Sequence, residues 1–287
     1  MDPMVVDIHP HIISTDTDTY PMNPLGGKRS KWSEARAATW EQYAAAMTEA
    51  GVRKAAVVQS STTYGHDNSY LADCVDTAPG RITGVCSVGF MDDGVLDTMR
   101  YWIGERGMSG LRLFTTGSTM AQSDWLNDEK TKPAWAWAAD NGVPVCVQLR
   151  VGALPMLRSV LRQFPDLRVV IDHVAMSDFV EGPPYRVAEP VYAFAEFPGV
   201  HLKVTTRTLR TGGQSAGGAG AVLRELIGHF GSDRLAWGSN WPASEGTLGD
   251  LLGLLDDAVR DLPAADAANI RGGTALRLYP RLREEAA

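Results

Sequence analysis

The chain reads as an α/β protein, a single-domain (β/α)8 TIM barrel with its active site at the C-terminal ends of the strands. Three observations predict this. Eight short β-branched runs alternate with eight stretches of helical periodicity. The runs are continuously apolar rather than alternating, as parallel strands buried on both faces require. No Gly-x-Gly-x-x-Gly follows a strand, so the open doubly wound sheet, the structural rival, lacks its fingerprint. A chain of 287 residues is long enough for one such barrel, and with no clean boundary or internal repeat the span 1–287 is read as one domain.

The elements follow in order. Val5–His9 is the first strand, and the long insertion Ser14–Ser33 after it belongs on the active rim. Thr39 with Gln42 forms a capping box, Tyr43, Met47 and Ala50 keep helical spacing, and Gly51 ends that helix. Strands at Ala55–Gln59, Ile82–Val88, Gly110–Phe114, Val143–Gln148, Arg168–His173, Val200–Val204 and Leu235–Ser239 alternate with helices. The helices are Asp67–Ala78, Asp93–Arg106, Lys132–Asn141, Leu154–Phe164, Val187–Phe197, Ala221–Phe230 and Thr247–Leu262. The glycine-rich stretch Thr211–Gly220 lacks the ending of a phosphate loop and reads as a flexible loop placed to act as a lid.

Composition narrows the function. A net charge of −7 argues against a broad nucleic-acid surface. The longest apolar runs are far shorter than the roughly 18 residues of a membrane span. No export signal is read at the N-terminus, and three widely spaced cysteines suit a reducing cytoplasm better than a disulfide framework. The expectation is a cytoplasmic protein acting on a small molecule, with its oligomeric state left open.

The chemistry concentrates at strand ends. In Asp7-Ile-His-Pro-His11, two-residue periodicity places His9 and His11 on one side of the first strand's mouth. His173 closes the sixth strand and Asn240 follows the eighth, in Trp237-Gly-Ser-Asn-Trp-Pro242. Three imidazoles at one barrel face can hold a divalent metal or position a water and a substrate oxygen. An amide cannot take a proton from water and is a poor zinc ligand, so the base falls to a histidine, His173 first, with Asn240 orienting water or the oxyanion. Arg112 on strand four, with Arg207 or Arg210 after strand seven, suits a substrate carboxylate. Gln148 suits hydrogen bonding to substrate, and Tyr64, Trp32 and Trp241 are positioned to wall a ligand. Glu245 and Asp178 are carboxylates that lie near these residues in sequence, with surface placement as the default.

These motifs make the chain recognisable. With Val58-Gln-Ser-Ser, Tyr64-Gly-His-Asp-Asn-Ser69, Gly110-Leu-Arg-Leu113, Leu202-Lys-Val204 and the closing Asn269–Tyr279, it resembles the amidohydrolase superfamily nearly end to end. Within the superfamily it is most similar to the group related to 2-pyrone-4,6-dicarboxylate lactonase. The resemblance implies a barrel hydrolase acting on ester or lactone bonds, some of whose relatives need no metal. It also implies histidines at His9, His11 and His173 around the scissile carbonyl and carboxylate-binding arginines on strands four and seven. Two positions depart: Asn240 stands where an aspartate is usual, and Gln148 where many members carry a histidine ligand. The reading is a lactonase opening a small carboxylate-bearing lactone or cyclic ester, with no cofactor favoured. The alternatives are a zinc- or manganese-dependent hydrolase or decarboxylase ligated by His9, His11 and His173, or a non-catalytic ligand-binding relative.

Overall fold

The computed structural model describes residues 4–117 and 124–284. Eight parallel strands pair in sequence order: β1 Val6–Asp7, β2 Lys54–Val58, β3 Ile82–Ser87, β4 Gly110–Phe114, β5 Val145–Gln148, β6 Val169–Ile171, β7 Val200–Thr205 and β8 Leu235–Gly238. The sheet curls into a nearly closed barrel, with the Ile8 N–H donating to the Trp237 carbonyl at 3.1 Å across the β1/β8 seam.

The helices are α1 Lys31–Ala35, α2 Trp40–Ala50, α3 Ser61–Tyr64, α4 Ser69–Thr77, α5 Val95–Met99, α6 Lys132–Asp140, α7 Leu154–Gln163, α8 Glu189–Tyr192, α9 Thr206–Gly213, α10 Gly218–Phe230, α11 Leu248–Val259, α12 Ala264–Ala268 and α13 Thr274–Leu278. The capping box of α2 forms as read: Gln42 N–H donates to Thr39 Oγ1, the Gln42 side chain accepts from Thr39 N–H, and Gly51 ends the helix at φ 77°.

Two apolar cores result. The large one lies between sheet and helices, and the small one fills the barrel with Val6, Ile8, Ala56, Val58, Val85, Val170 and Ala236. Leu278, Tyr279 and Leu282 from the C-terminal segment plug its floor.

Several expectations are corrected. β1 stops at Asp7, where the chain bends, so both early histidines lie beyond the strand. β5 starts at Val145, after Pro144, which has no N–H to give a ladder. β6 ends at Ile171, before His173. The glycine-rich stretch Thr211–Gly220 is mostly helical rather than a lid, with only residues 214–217 between α9 and α10. Two of its glycines serve helix packing: a Cβ on Gly212 would sit 2.7 Å from Val222 Cγ2, and one on Gly220 3.1 Å from the Ala258 carbonyl oxygen. Small residues there let α9, α10 and α11 approach closely, which outweighs glycine's low helix propensity.

Candidate active site

The strands open onto a cleft of about 320 Å³ lined in part by His11, Trp32, Arg112, Gln148, His173 and Asn240. Glycine makes room for its first wall: a Cβ on Gly238 would lie 2.5 Å from His9 Cβ. His9 and His11 rings stand 4.9 Å apart, and His9 and His173 rings 4.7 Å apart, each pair edge-on.

Each ring has a distinct hold. His9 is wholly buried behind the cleft surface, neither ring nitrogen is hydrogen-bonded among the described residues, and Nδ1 faces Asp172 Oδ1 at 3.7 Å. His11 Nδ1 donates to the Val58 carbonyl at 2.8 Å while its ring stacks on Trp32. A carbonyl only accepts, so neutral His11 carries its proton on Nδ1 and keeps an Nε2 lone pair. His173 Nδ1 meets Thr205 Oγ1 at 2.8 Å.

All three rings are held neutral. Burial is the leading cause, pushing His11 down to about 3 and His173 to about 4, and His9 well below the usual imidazole range. Lys203 adds repulsion at His9 and Arg112 at His11, while the Asp172 carboxylate partly offsets burial at His173.

A buried clasp sets the angle of the first wall. The Asp7 carboxylate accepts from His9 N–H (3.0 Å), Ser239 N–H (2.8 Å), Ser239 Oγ (2.5 Å) and Tyr43 Oη (3.0 Å). It ties the ends of β1 and β8 to α2, which fixes where His9 and Asn240 begin. The opposite wall is strained: His173, Val174, Ala175 and Met176 take φ of 54°, 51°, 55° and 59°. A left-handed conformation costs a non-glycine residue about 1–2 kcal/mol, so four in a row mark a segment held by its surroundings.

The remaining expected residues divide. Asn240, itself left-handed at φ 56°, lines the cleft and donates from Nδ2 to Ser244 Oγ at 3.2 Å. Arg112 lies on the floor, held by one donor to the Gln59 carbonyl and one to Gln148 Oε1, with Nε 3.7 Å from Asp172 Oδ2 and not hydrogen-bonded among the described residues. Gln148 is likewise committed, donating from Nε2 to the Thr116 carbonyl at 2.9 Å. Arg207 and Arg210 are exposed on α9, where Arg210 donates to the Glu245 carbonyl. Arg207 still adds positive field at His173.

Tyr64 and Trp241 lie outside the cleft lining. The Tyr64 hydroxyl accepts from Ser14 N–H at 2.8 Å, and Trp241 packs on Tyr43 at 5.4 Å. Glu245 reaches into solvent toward Arg36, and Asp178 is exposed.

Sequence reasoning missed three residues. Arg150 lines the cleft, exposed, with no carboxylate within ion-pair reach among the described residues. Lys203 and Asp172 form a fully buried ion pair at 2.8 Å behind the imidazoles. The signal for Lys203 was a charge inside an apolar strand run; Arg150 had none.

A barrel that gathers three neutral imidazoles and unpaired cationic charge at its mouth has the frame of a hydrolytic barrel enzyme. The chain belongs to the amidohydrolase family, whose profile matches residues 6–281, and is a hydrolase of that family. It is 27% identical over 243 residues to L-fucono-1,5-lactonase of Burkholderia ambifaria, covering 81% of this chain and 82% of that one. A structure from Pseudomonas putida, provisionally described as a 2-pyrone-4,6-dicarboxylic acid hydrolase, superposes with a TM-score of 0.78 at 23% identity, covering 99% of this chain and 100% of that one. An amidohydrolase from Burkholderia multivorans with bound zinc superposes at 0.73 and 20% identity, covering 96% and 99%. No described helix is long and apolar enough to cross a membrane.

The donor set decides whether a resident dication suits this cleft. The imidazoles of His9, His11 and His173 are neighbours, but among the described residues no three His, Cys, Asp or Glu side chains are arranged to hold a metal ion. The position after β8 offers a carboxamide, a weak ligand. Lys203 and Arg112 both act on His9 as repelling positive charges. The residues do not fit a resident divalent metal, and no step below runs through one.

Proposed function

We propose that this cleft opens a small carboxylate-bearing lactone by adding water to the ring carbonyl. The observation that carries the reading is a lining with two guanidiniums, Arg112 and Arg150, and no carboxylate among the described residues. Such a lining attracts an anion and leaves its charge unopposed. The likeness to a sugar lactonase and to a pyrone dicarboxylate hydrolase supports the same bond type.

Two neutral imidazoles face the reacting water. His11, with its proton fixed on Nδ1, accepts a hydrogen bond from the water and orients it. His173, whose protonated form the neighbouring Asp172 carboxylate favours, takes the proton as the oxygen attacks. Asn240 Nδ2 donates to the developing oxyanion. Collapse breaks the ring C–O bond, and the leaving alkoxide takes the proton from His173, giving the hydroxy acid. Arg150 binds the remote carboxylate, because it stands exposed at the mouth while Arg112 is buried and held by Gln59, Gln148 and the Asp172 carboxylate.

A panel of matched lactones with and without a carboxylate, followed by acid release, tests this. The charged members are expected to win by about 10- to 100-fold in kcat/KM, the value of a charge-assisted hydrogen bond, and Arg150→Met is expected to erase that margin through KM. Equal turnover of neutral lactones, or none of either kind, overturns it.

A further inference from the structure

Lysine is among the residues least often found fully buried, and an ammonium removed from water is retained only where it is paired. Lys203 is 0% exposed, on β7, inside the barrel. Its Nζ lies 2.8 Å from Asp172 Oδ1 and 3.5 Å from Cys146 Sγ. Asp172 is equally buried and opens the left-handed turn that carries His173.

The partner strand explains how that turn persists. Residues two apart on a strand share a face, so Lys203 and Thr205 point the same way from β7. Lys203 holds the carboxylate of Asp172, and Thr205 Oγ1 holds the ring of His173, the very next residue. Arg112 Nε and His9 Nδ1, each 3.7 Å from an Asp172 oxygen, complete the groups facing the pair.

We infer that Lys203 is a positioning residue: with Thr205 it makes a two-point grip on the strained turn and so presents His173 to the cleft. The inference rests on the reading of His173 as proton acceptor. Lys203 touches no cleft surface, so its action reaches the substrate only through Asp172 and His173.

The test uses substitutions that keep shape. The double variant Lys203→Met/Asp172→Asn replaces the ion pair with neutral groups of similar shape, with Arg112 still held by its bonds to Gln59 and Gln148. Thr205→Val removes only the hydroxyl, and Thr205→Ser restores it. Misplacing a reacting group by about 1 Å costs on the order of 100-fold, so kcat is expected to fall about 30-fold in the double variant and about 10-fold in Thr205→Val. KM should stay within about threefold, because the carboxylate anchor is untouched. Thr205→Ser should run near the wild-type rate.

Nitrogen-15 spectra of histidine-labelled protein give a second readout, with the His173 ring identified by its loss in His173→Gln. That signal is expected to move in both weakened variants. Wild-type kcat and an unmoved His173 signal in the folded double variant overturn the grip. If the double variant does not fold, Thr205→Val with unchanged kcat and an unmoved signal overturns it. If the signal moves while the wild-type protein opens no lactone, the lactonase reading fails and the grip stands.

Discussion

The floor and the mouth of the barrel are cut from the same eight strands yet solve opposite problems. On the floor, Val6, Val85, Val170 and Ala236 meet Leu278, Tyr279 and Leu282 in an apolar plug. At the mouth, a few residues further along, the strands give way to buried imidazoles, an internal ion pair and five left-handed residues, His173–Met176 and Asn240. Stability comes from the first end and is spent at the second. Burying apolar side chains is favourable wherever they fit, whereas neutral histidines and left-handed turns persist only because neighbours compel them.

The sharpest way to break this contrast is to wound each end separately. At the mouth, His173→Gln should lower kcat by about 1,000-fold, within the range for loss of a general base, and leave the melting temperature nearly unchanged. On the floor, Leu278→Ala should cost about 2–5 kcal/mol of stability, read from urea unfolding, while the folded fraction keeps its kcat. A floor variant that loses kcat at full occupancy of the folded state would show that the two ends are coupled, and the division would fall.

How much of this was legible beforehand divides along the same line. Parallel strands covered on both faces must be short continuous apolar runs, so all eight were readable, with ends off by a residue or two. His11, His173 and Asn240 were found in the cleft, with His9 directly behind it, because a strand end followed by a polar side chain points at the mouth. The turn after β6 was not legible: nothing in Asp172-His-Val-Ala-Met176 announces a left-handed path, since its partners lie on β7, with Thr205 32 residues beyond His173. Lys203 was passed over because a charge inside an apolar strand run calls for a partner without showing where in the chain that partner lies. Tyr64 and Trp241 looked like cleft walls by position, but Tyr64 turns its hydroxyl to the Ser14 N–H and Trp241 packs on Tyr43. Thr211–Gly220 looked like a loop because glycines that admit a neighbouring helix are indistinguishable in sequence from glycines that confer flexibility.

Acid should expose the same asymmetry with a smaller effect. Burial holds His11 at about 3 and His173 at about 4, whereas the unfolded chain protonates its histidines near 6.5. Between those values the unfolded state binds more protons, so stability falls as pH drops below about 6.5, and the His173 contribution is fully lost near pH 4. Each pKa unit is worth about 1.4 kcal/mol, so the pair together weakens the fold by a few kcal/mol between pH 7 and 5. Asp7, raised by burial, works the other way, and Asp172, held below the usual carboxylate range by Lys203 and Arg112 against the opposing effect of burial, loses its contribution only below about 3.8. Urea midpoints at pH 7, 6 and 5 should decline, and His173→Gln should flatten the slope. A slope unchanged by that substitution would mean that His173 titrates as an ordinary surface histidine.

The smallest expected effect is the most informative about chemistry. Asn240 occupies a left-handed position that both asparagine and aspartate tolerate, so Asn240→Asp alters charge and basicity without altering backbone preference. A carboxylate placed beside His11 and His173 supplies a second proton acceptor and should raise kcat about tenfold. It should also raise KM for carboxylate-bearing lactones, because it opposes the anion that Arg150 attracts. The same change completes a set of three imidazoles and one carboxylate, so metal content measured by plasma emission should rise toward one per chain in the variant and stay far below that in the wild type. Chelator should then slow the variant and spare the wild type. If wild-type protein purified without added ions carries a full zinc or manganese, the repulsion assigned to Lys203 and Arg112 is too weak to govern the cleft, and the mouth belongs with metal sites after all.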